Sequence, residues 1–169
     1  MPDPADADAN PFALLDLPER FDLERAALQR AWLKRSAKLH PDRAGDDPEA
    51  ARRLAMVNRA KAILADPEAR ANALLAVLGG PAKEDDKSLP DGYLMEMFEI
   101  REEHASGDEE TRTRIEQWGS ERRGEHESRV GAMFAGLSEN PSDEELRAIR
   151  LELNAWRYIE RFLTEPGLD

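Results

Sequence analysis

An all-α fold is the first expectation from this sequence, and three observations lead to it. Ala, Leu, Glu and Arg dominate the 169 residues, and these side chains lose little freedom in a helix. Runs of Val, Ile and Thr at period two, the mark of a half-buried strand, are absent. Capping side chains followed by proline recur along the chain, as they do where helices begin. With 40% hydrophobic residues the chain can bury a core, and with only 6% aromatic that core must be aliphatic. The length suits one medium domain or two small ones.

Taken in order, Asn10-Pro11 opens a short first helix carrying Phe12, Leu14, Leu15 and Leu17, and Pro18 stops it. Asp22 is positioned to cap a second helix running to about Leu39, where Pro41 breaks it and residues 40–47 form a loop. Asp47-Pro48-Glu49 opens a third helix to about Ala65. Asp66-Pro67-Glu68 opens a fourth, stopped by Gly79-Gly80-Pro81. Residues 81–90, polar and with Pro at both ends, read as a linker. A fifth helix covers about Asp91 to Ala105 and ends at Gly107. A sixth covers about Asp108 to Ala135, with a bend or break expected from Gly119, Gly124 and Gly131, each costing roughly 1 kcal/mol against Ala. Asn140-Pro141 turns the chain, and Ser142 with Glu145 forms a capping box for a last helix to about Thr164.

The formal net charge is -12, a balance that repels phosphates and anionic lipid, so neither nucleic acid nor membrane is an expected partner. Residues 1–80 hold 12 basic and 13 acidic side chains, whereas residues 81–169 hold 12 basic and 23 acidic. Two halves with different electrostatics suggest two modules with different partners. Cysteine is absent, which excludes thiol catalysis, disulfides and a thiolate-held cluster on this chain, and no cofactor is expected. Met1 to Asn10 is acidic, without the basic start and apolar stretch of a secretory signal or the arginine of a transit peptide. A disordered tail over residues 1–9 of a cytoplasmic bacterial protein is the expectation.

The most informative segment is Ala31-Trp32-Leu33-Lys34-Arg35-Ser36-Ala37-Lys38-Leu39-His40-Pro41-Asp42-Arg43. From Leu23 to Leu39 there are five basic residues and one acidic. Arg30, Lys34 and Lys38, four apart, share one helix face. This compact basic stripe in an acidic protein suits an acidic protein surface. Pro41 stiffens the loop and presents His40 and Asp42 as polar groups at its tip. With Asn58-Arg59-Ala60-Lys61-Ala62-Ile63-Leu64-Ala65-Asp66-Pro67 further on, the segment resembles a J-domain. That resemblance implies a hairpin of helices two and three with His40, Pro41 and Asp42 in its loop. It also implies docking of His40, Pro41, Asp42, Arg30, Lys34 and Lys38 onto a DnaK-like chaperone, near the junction of its nucleotide and substrate domains, stimulating ATP hydrolysis. Arg35 departs from the pattern: it falls on the stripe of Leu28, Trp32 and Leu39 where an apolar residue is usual, and is expected to snorkel at the bundle edge.

In the second half, Tyr93-Leu94-Met95-Glu96-Met97-Phe98-Glu99-Ile100-Arg101-Glu102-Glu103 carries two apolar faces. At about 100° per residue, Tyr93, Met97, Ile100 and His104 share one, and Leu94, Met95 and Phe98 cover the opposite side, bordered by Glu99 and Glu102. A helix in a three-helix bundle does not bury both, so one set is expected at the surface as an interaction site; which one, the spacing leaves open. Together with Arg70-Ala71-Asn72-Ala73-Leu74-Leu75, this helix resembles the iron–sulfur cluster co-chaperones, the HscB family of bacteria, over about residues 10–164. The resemblance implies that Leu94, Met95, Phe98, Glu99 and Glu102 contact the iron–sulfur scaffold protein, with Tyr158 as an aromatic contact on the last helix.

The resulting division is a J-domain at 10–80, a linker at 81–90 and a client-binding three-helix bundle at 91–169. The expected function is that of a co-chaperone, not an enzyme: it stimulates an HscA-like chaperone and delivers the scaffold to it. A J-protein serving another client is the alternative. A plain acidic helical binding protein or a hydrolase is a third class, but no convergent nucleophile, base and oxyanion donor is visible, and three histidines form no metal motif.

Overall fold

The computed structural model describes residues 10–39 and 48–164. Among them are seven helices and no strand. The chain divides into two compact units, Met1–Val77 and Leu78–Asp169.

In the first unit, helix α1 (Pro11–Leu15) begins as its sequence dictates: the Asn10 carboxamide oxygen accepts from the backbone N–H of Phe12 at 3.0 Å and of Ala13 at 3.3 Å. It ends earlier than the expected stop at Pro18. Asp16 takes a left-handed conformation (φ 60°) and returns its N–H to Ala13, a cap that aspartate tolerates better than most residues. Phe12 and Leu15 are fully buried. Helix α2 (Arg25–Leu39) starts later than the Asp22 cap would place it, since the first helical bond runs from Leu28 N–H to the Glu24 carbonyl. Helix α3 (Pro48–Ala65) and helix α4 (Pro67–Val77) both carry proline at the first position, and Asp66 caps α4 through Ala69 N–H at 2.7 Å.

Helices α2 and α3 pack as an antiparallel pair. Trp32 donates its indole N–H to Asn58 Oδ1 at 2.8 Å and carries Lys61 Nζ over its ring at 3.7 Å. Lys38 and Leu39, further along α2, border Arg53, Met56 and Val57, which lie earlier along α3. The core beneath is aliphatic apart from Phe12 and Phe21: Leu28, Val57, Ala60, Leu64, Ala71, Leu74 and Leu75 are buried. Arg35 stands half-exposed beside Asp16 at 3.8 Å, so the polar residue on the inner stripe of α2 keeps its charge at the edge.

The second unit is a three-helix bundle of α5 (Tyr93–Ser106), α6 (Glu109–Ala135) and α7 (Asp143–Thr164). Asp108 caps α6 through Thr111 N–H at 2.9 Å. Ser142 and Glu145 exchange the two bonds of a capping box, Glu145 N–H to Ser142 Oγ at 3.2 Å and Ser142 N–H to Glu145 Oε2 at 2.8 Å. Contrary to the expected bend or break, α6 is one uninterrupted helix of 27 residues. Gly119 faces Phe162 and Leu163 so closely that a side chain there would crowd them, which accounts for a glycine inside a helix. Met97, Ile115, Ile159 and Phe162 form the core at this end, and Tyr93, Ile100, Trp118, Tyr158 and Leu163 pack around it.

The stretch 81–90, expected as a linker, is tied to α7. Buried Arg150 donates from Nε to the Pro81 carbonyl at 2.9 Å, and buried Asn154 donates from Nδ2 to the carbonyls of Asp86 and Ser88 at 3.0 and 2.9 Å. These side chains supply the donors that a strand-free, helix-free backbone otherwise lacks against a bundle.

Candidate functional site

Each unit presents one candidate surface. In the first unit, Arg30, Lys34 and Lys38 are all exposed along α2. None of the three pairs with a carboxylate among the described residues, whereas Arg35 faces Asp16 and Arg52 faces Glu49, both at 3.8 Å. At the far end of the stripe Lys38 also borders a cleft of about 310 Å³ floored by Leu14, Leu39, Met56 and Val57 and rimmed by Arg35 and Arg53. His40, Pro41 and Asp42 lie outside the described residues.

In the second unit, the two apolar faces of α5 part company. Met97 and His104 are buried, and Tyr93 and Ile100 are half-buried against the core. On the other side Leu94, Met95 and Phe98 are 57, 63 and 62% exposed, flanked by exposed Glu99 and Glu102. Tyr158 belongs to α7 rather than α5. It lies half-buried on α7, edge-on to Tyr93 with ring centroids 6.2 Å apart.

Tyr93 fixes the start of α5. The helix opens from Gly92, whose left-handed backbone (φ 77°) offers no capping side chain. Instead the Tyr93 hydroxyl donates to the Ala155 carbonyl on α7 at 2.9 Å. Burial, reinforced by Glu96 and Glu152, pushes that hydroxyl above the usual tyrosine range. At the other end, His104 stacks edge-on against Phe162 at 5.5 Å and sets Nε2 3.2 Å from Glu116 Oε1. The outer patch is therefore carried on a helix whose inner side is anchored at both ends.

Behind α5 a cleft of about 180 Å³ is lined by Tyr93, Trp118, Arg122, His126, Arg129 and Glu152 among others. Its charges are matched. Arg122 meets Glu125 at 3.0 Å, and Arg129 meets Glu152 at 2.9 Å. His126 Nδ1 lies 2.6 Å from Glu152 Oε1, and because an ionised carboxylate only accepts, that nitrogen carries the proton. Burial would raise the Glu152 carboxyl, but the bonds and charges of His126 and Arg129 outweigh it and hold it below the ordinary glutamate value. Among the described residues no group of three or more His, Asp or Glu is placed to hold a metal ion. Each unit thus exposes one distinctive surface, one cationic and one apolar with an acidic rim.

The buried donors Arg150 and Asn154 and the exposed Leu33 were not singled out by the sequence. Arg150 and Asn154 sit on the inward face of α7 with Leu146, Ile149, Leu153 and Trp156, and polar residues on an apolar stripe were the signal that would have found them.

Residues 10–73 match the family model of the DnaJ domain. The co-chaperone protein HscB homolog of Bordetella avium is 31% identical over 163 residues, covering 91% of this chain and 93% of that relative. The HscB homolog of Mannheimia succiniciproducens is 38% identical over 101 residues, 56% of this chain and 58% of the relative. Among solved structures, human co-chaperone protein HscB superposes with a TM-score of 0.77 at 22% identity, covering 98% of this chain and 83% of that one. Chaperone HscB from Vibrio cholerae gives 0.74 at 22% identity, with 93% and 94% covered. At that identity the structural likeness speaks for the fold.

Proposed function

The chain belongs to the HscB family of J-domain co-chaperones, and from that membership we propose that its first unit stimulates the ATPase of a DnaK- or HscA-like chaperone while its second holds the iron–sulfur cluster scaffold protein as client. Members of this family are co-chaperones and not enzymes, so the covalent step, ATP hydrolysis, takes place on the partner.

The observation that carries the reading is the outer face of α5. A chain with 36% charged residues gathers Leu94, Met95 and Phe98 at the surface of one helix, rimmed by Glu99 and Glu102. An apolar centre with a polar rim is the anatomy of a protein-binding surface. Met95 adds a side chain that adapts its shape to a partner. Tyr158, half-buried beside Tyr93, adds an aromatic client contact from the last helix. On the first unit, Arg30, Lys34 and Lys38, without an ion pair among the described residues, supply the attraction for an acidic chaperone surface, and His40, Pro41 and Asp42 supply the contacts that trigger hydrolysis. The acidic balance disfavours nucleic acid and anionic membranes, and among the described residues no helix is long and apolar enough to cross a membrane. A bacterial cytoplasmic setting fits these partners.

The test is a titration of chaperone ATPase, with and without the scaffold. Wild type should accelerate hydrolysis, and His40→Gln should not; equal stimulation by both refutes the role of the tripeptide. Leu94→Ala with Phe98→Ala, two exposed positions, should fold normally and weaken scaffold capture by at least about tenfold, which is about 1.4 kcal/mol. Stimulation without any capture of the scaffold would favour a different client.

A further inference from the structure

Four large apolar side chains are exposed among the described residues: Leu94, Met95, Phe98 and Leu33. Three make the patch on α5. The fourth, 50% exposed, stands alone on the first unit. A single exposed leucine is ordinary; its setting is what gives it weight. Positions 26, 33 and 37 fall within about 40° of one another around a helix, and Ala26, Leu33 and Ala37 are all exposed on α2. The two alanines are too short to shield the leucine, which projects as a small apolar ridge. Lys34 follows Leu33 directly and Arg30 precedes it by less than one turn, so the ridge runs beside the stripe of Arg30, Lys34 and Lys38. Those three cations make no ion pair with a described residue, in contrast to Arg35 and Arg52.

We infer that Leu33 is a contact residue of the chaperone-docking face, received by a shallow apolar depression bordered by carboxylates on the DnaK-like partner. The inference rests on the reading of the first unit proposed above. A partner whose carboxylates reach Arg30 and Lys34 comes close enough to cover the side chain that flanks them. The two kinds of contact do different work. Charges on an exposed helix govern how often the partners meet and how salt slows them, while a desolvated leucine governs how long they stay together.

The experiment compares wild type, Leu33→Gln and Leu33→Met in titrations of an HscA-like chaperone's ATPase at two salt concentrations. Glutamine keeps helix propensity and length at an exposed site, so melting by circular dichroism should match wild type. The expected result is a half-maximal concentration about tenfold higher for Leu33→Gln, with the maximal rate and the salt dependence retained, and a return to near wild type with Leu33→Met. Superimposed curves for Leu33→Gln and wild type overturn the inference. So does a lowered maximal rate at an unchanged half-maximal concentration. A variant that alters self-association in sedimentation while leaving the titration unchanged assigns the ridge to a second copy of this chain, and also overturns it. If wild type itself gives no stimulation, the functional reading fails along with it, an outcome told apart by the wild-type curve alone.

Discussion

Gly119 lies against Phe162 so tightly that a Cβ at position 119 would stand 3.2 Å from the Phe162 Cε1 and 3.0 Å from Leu163 Cδ2. Alanine there gains about 1 kcal/mol of helix propensity but must displace a fully buried ring, and overpacking a core costs about 1–3 kcal/mol. Gly119→Ala is expected to lower stability by about 1 kcal/mol in urea unfolding. Gly124, in the same helix with nothing within 4 Å of its absent Cβ, is the control: Gly124→Ala should raise stability by roughly 0.5–1 kcal/mol.

Acid should weaken the second unit partly through Glu152. Its folded-state carboxyl titrates below the ordinary value of 4.5. Its contribution is therefore complete above about that pH and is lost as pH falls through the lower folded value. Glu152→Gln should cost about 1–2 kcal/mol at neutral pH by removing charge-assisted bonds to His126 and Arg129. It should also make unfolding free energy fall less steeply with pH below about 4.5. Asp86, Asp108 and Glu145 are held low as well, chiefly by bonds from Ser88, Thr111 and Ser142, so some acid dependence will persist in the variant. An unchanged slope would show that the His126 bond is not maintained in solution.

Lys34→Gln with Lys38→Gln should raise the half-maximal concentration for ATPase stimulation about tenfold at low salt and much less at high salt. The reason is that charges at exposed positions act over a Debye length of about 8 Å at physiological ionic strength. Stopped-flow association at several salt concentrations checks it: the wild-type rate should fall with salt more steeply than the variant's.

Asn154→Ala removes both bonds to the carbonyls of Asp86 and Ser88. It should cost about 1–2 kcal/mol and speed amide hydrogen exchange over residues 82–90, while exchange in the interior of α6 changes little. Protection of that stretch equal to wild type would mean that Arg150 holds it alone.

Most of the helical plan was legible because its signals are local. Asn10, Asp66, Asp108 and the Ser142–Glu145 pair each bond backbone within three residues, so the capping pattern carries its own geometry. The errors came where a distant contact or a backbone choice decides. Asp16 ends α1 by turning left-handed before Pro18 is reached. Asp22 has the chemistry of a cap, yet the first helical bond of α2 is accepted by Glu24. The glycines of α6 read as a weakness because the ring facing Gly119 belongs to a helix more than forty positions later. On α5 the spacing separates two apolar faces, but only the seating of Tyr93 and Met97 on α6 and α7 says which is inside. The bonds of residues 81–90 to Arg150 and Asn154 were beyond a local reading, because polarity and proline describe the stretch itself and not the side chains that receive it.

That last arrangement bears on how the molecule is cut. A fragment starting at Asp91 would strip Arg150 and Asn154 on α7 of the carbonyls of Pro81, Asp86 and Ser88 that they bond, and should express poorly or clump. One starting at Leu78 keeps its own selvedge, and is the piece to isolate for titrating the scaffold in the absence of the chaperone-facing half.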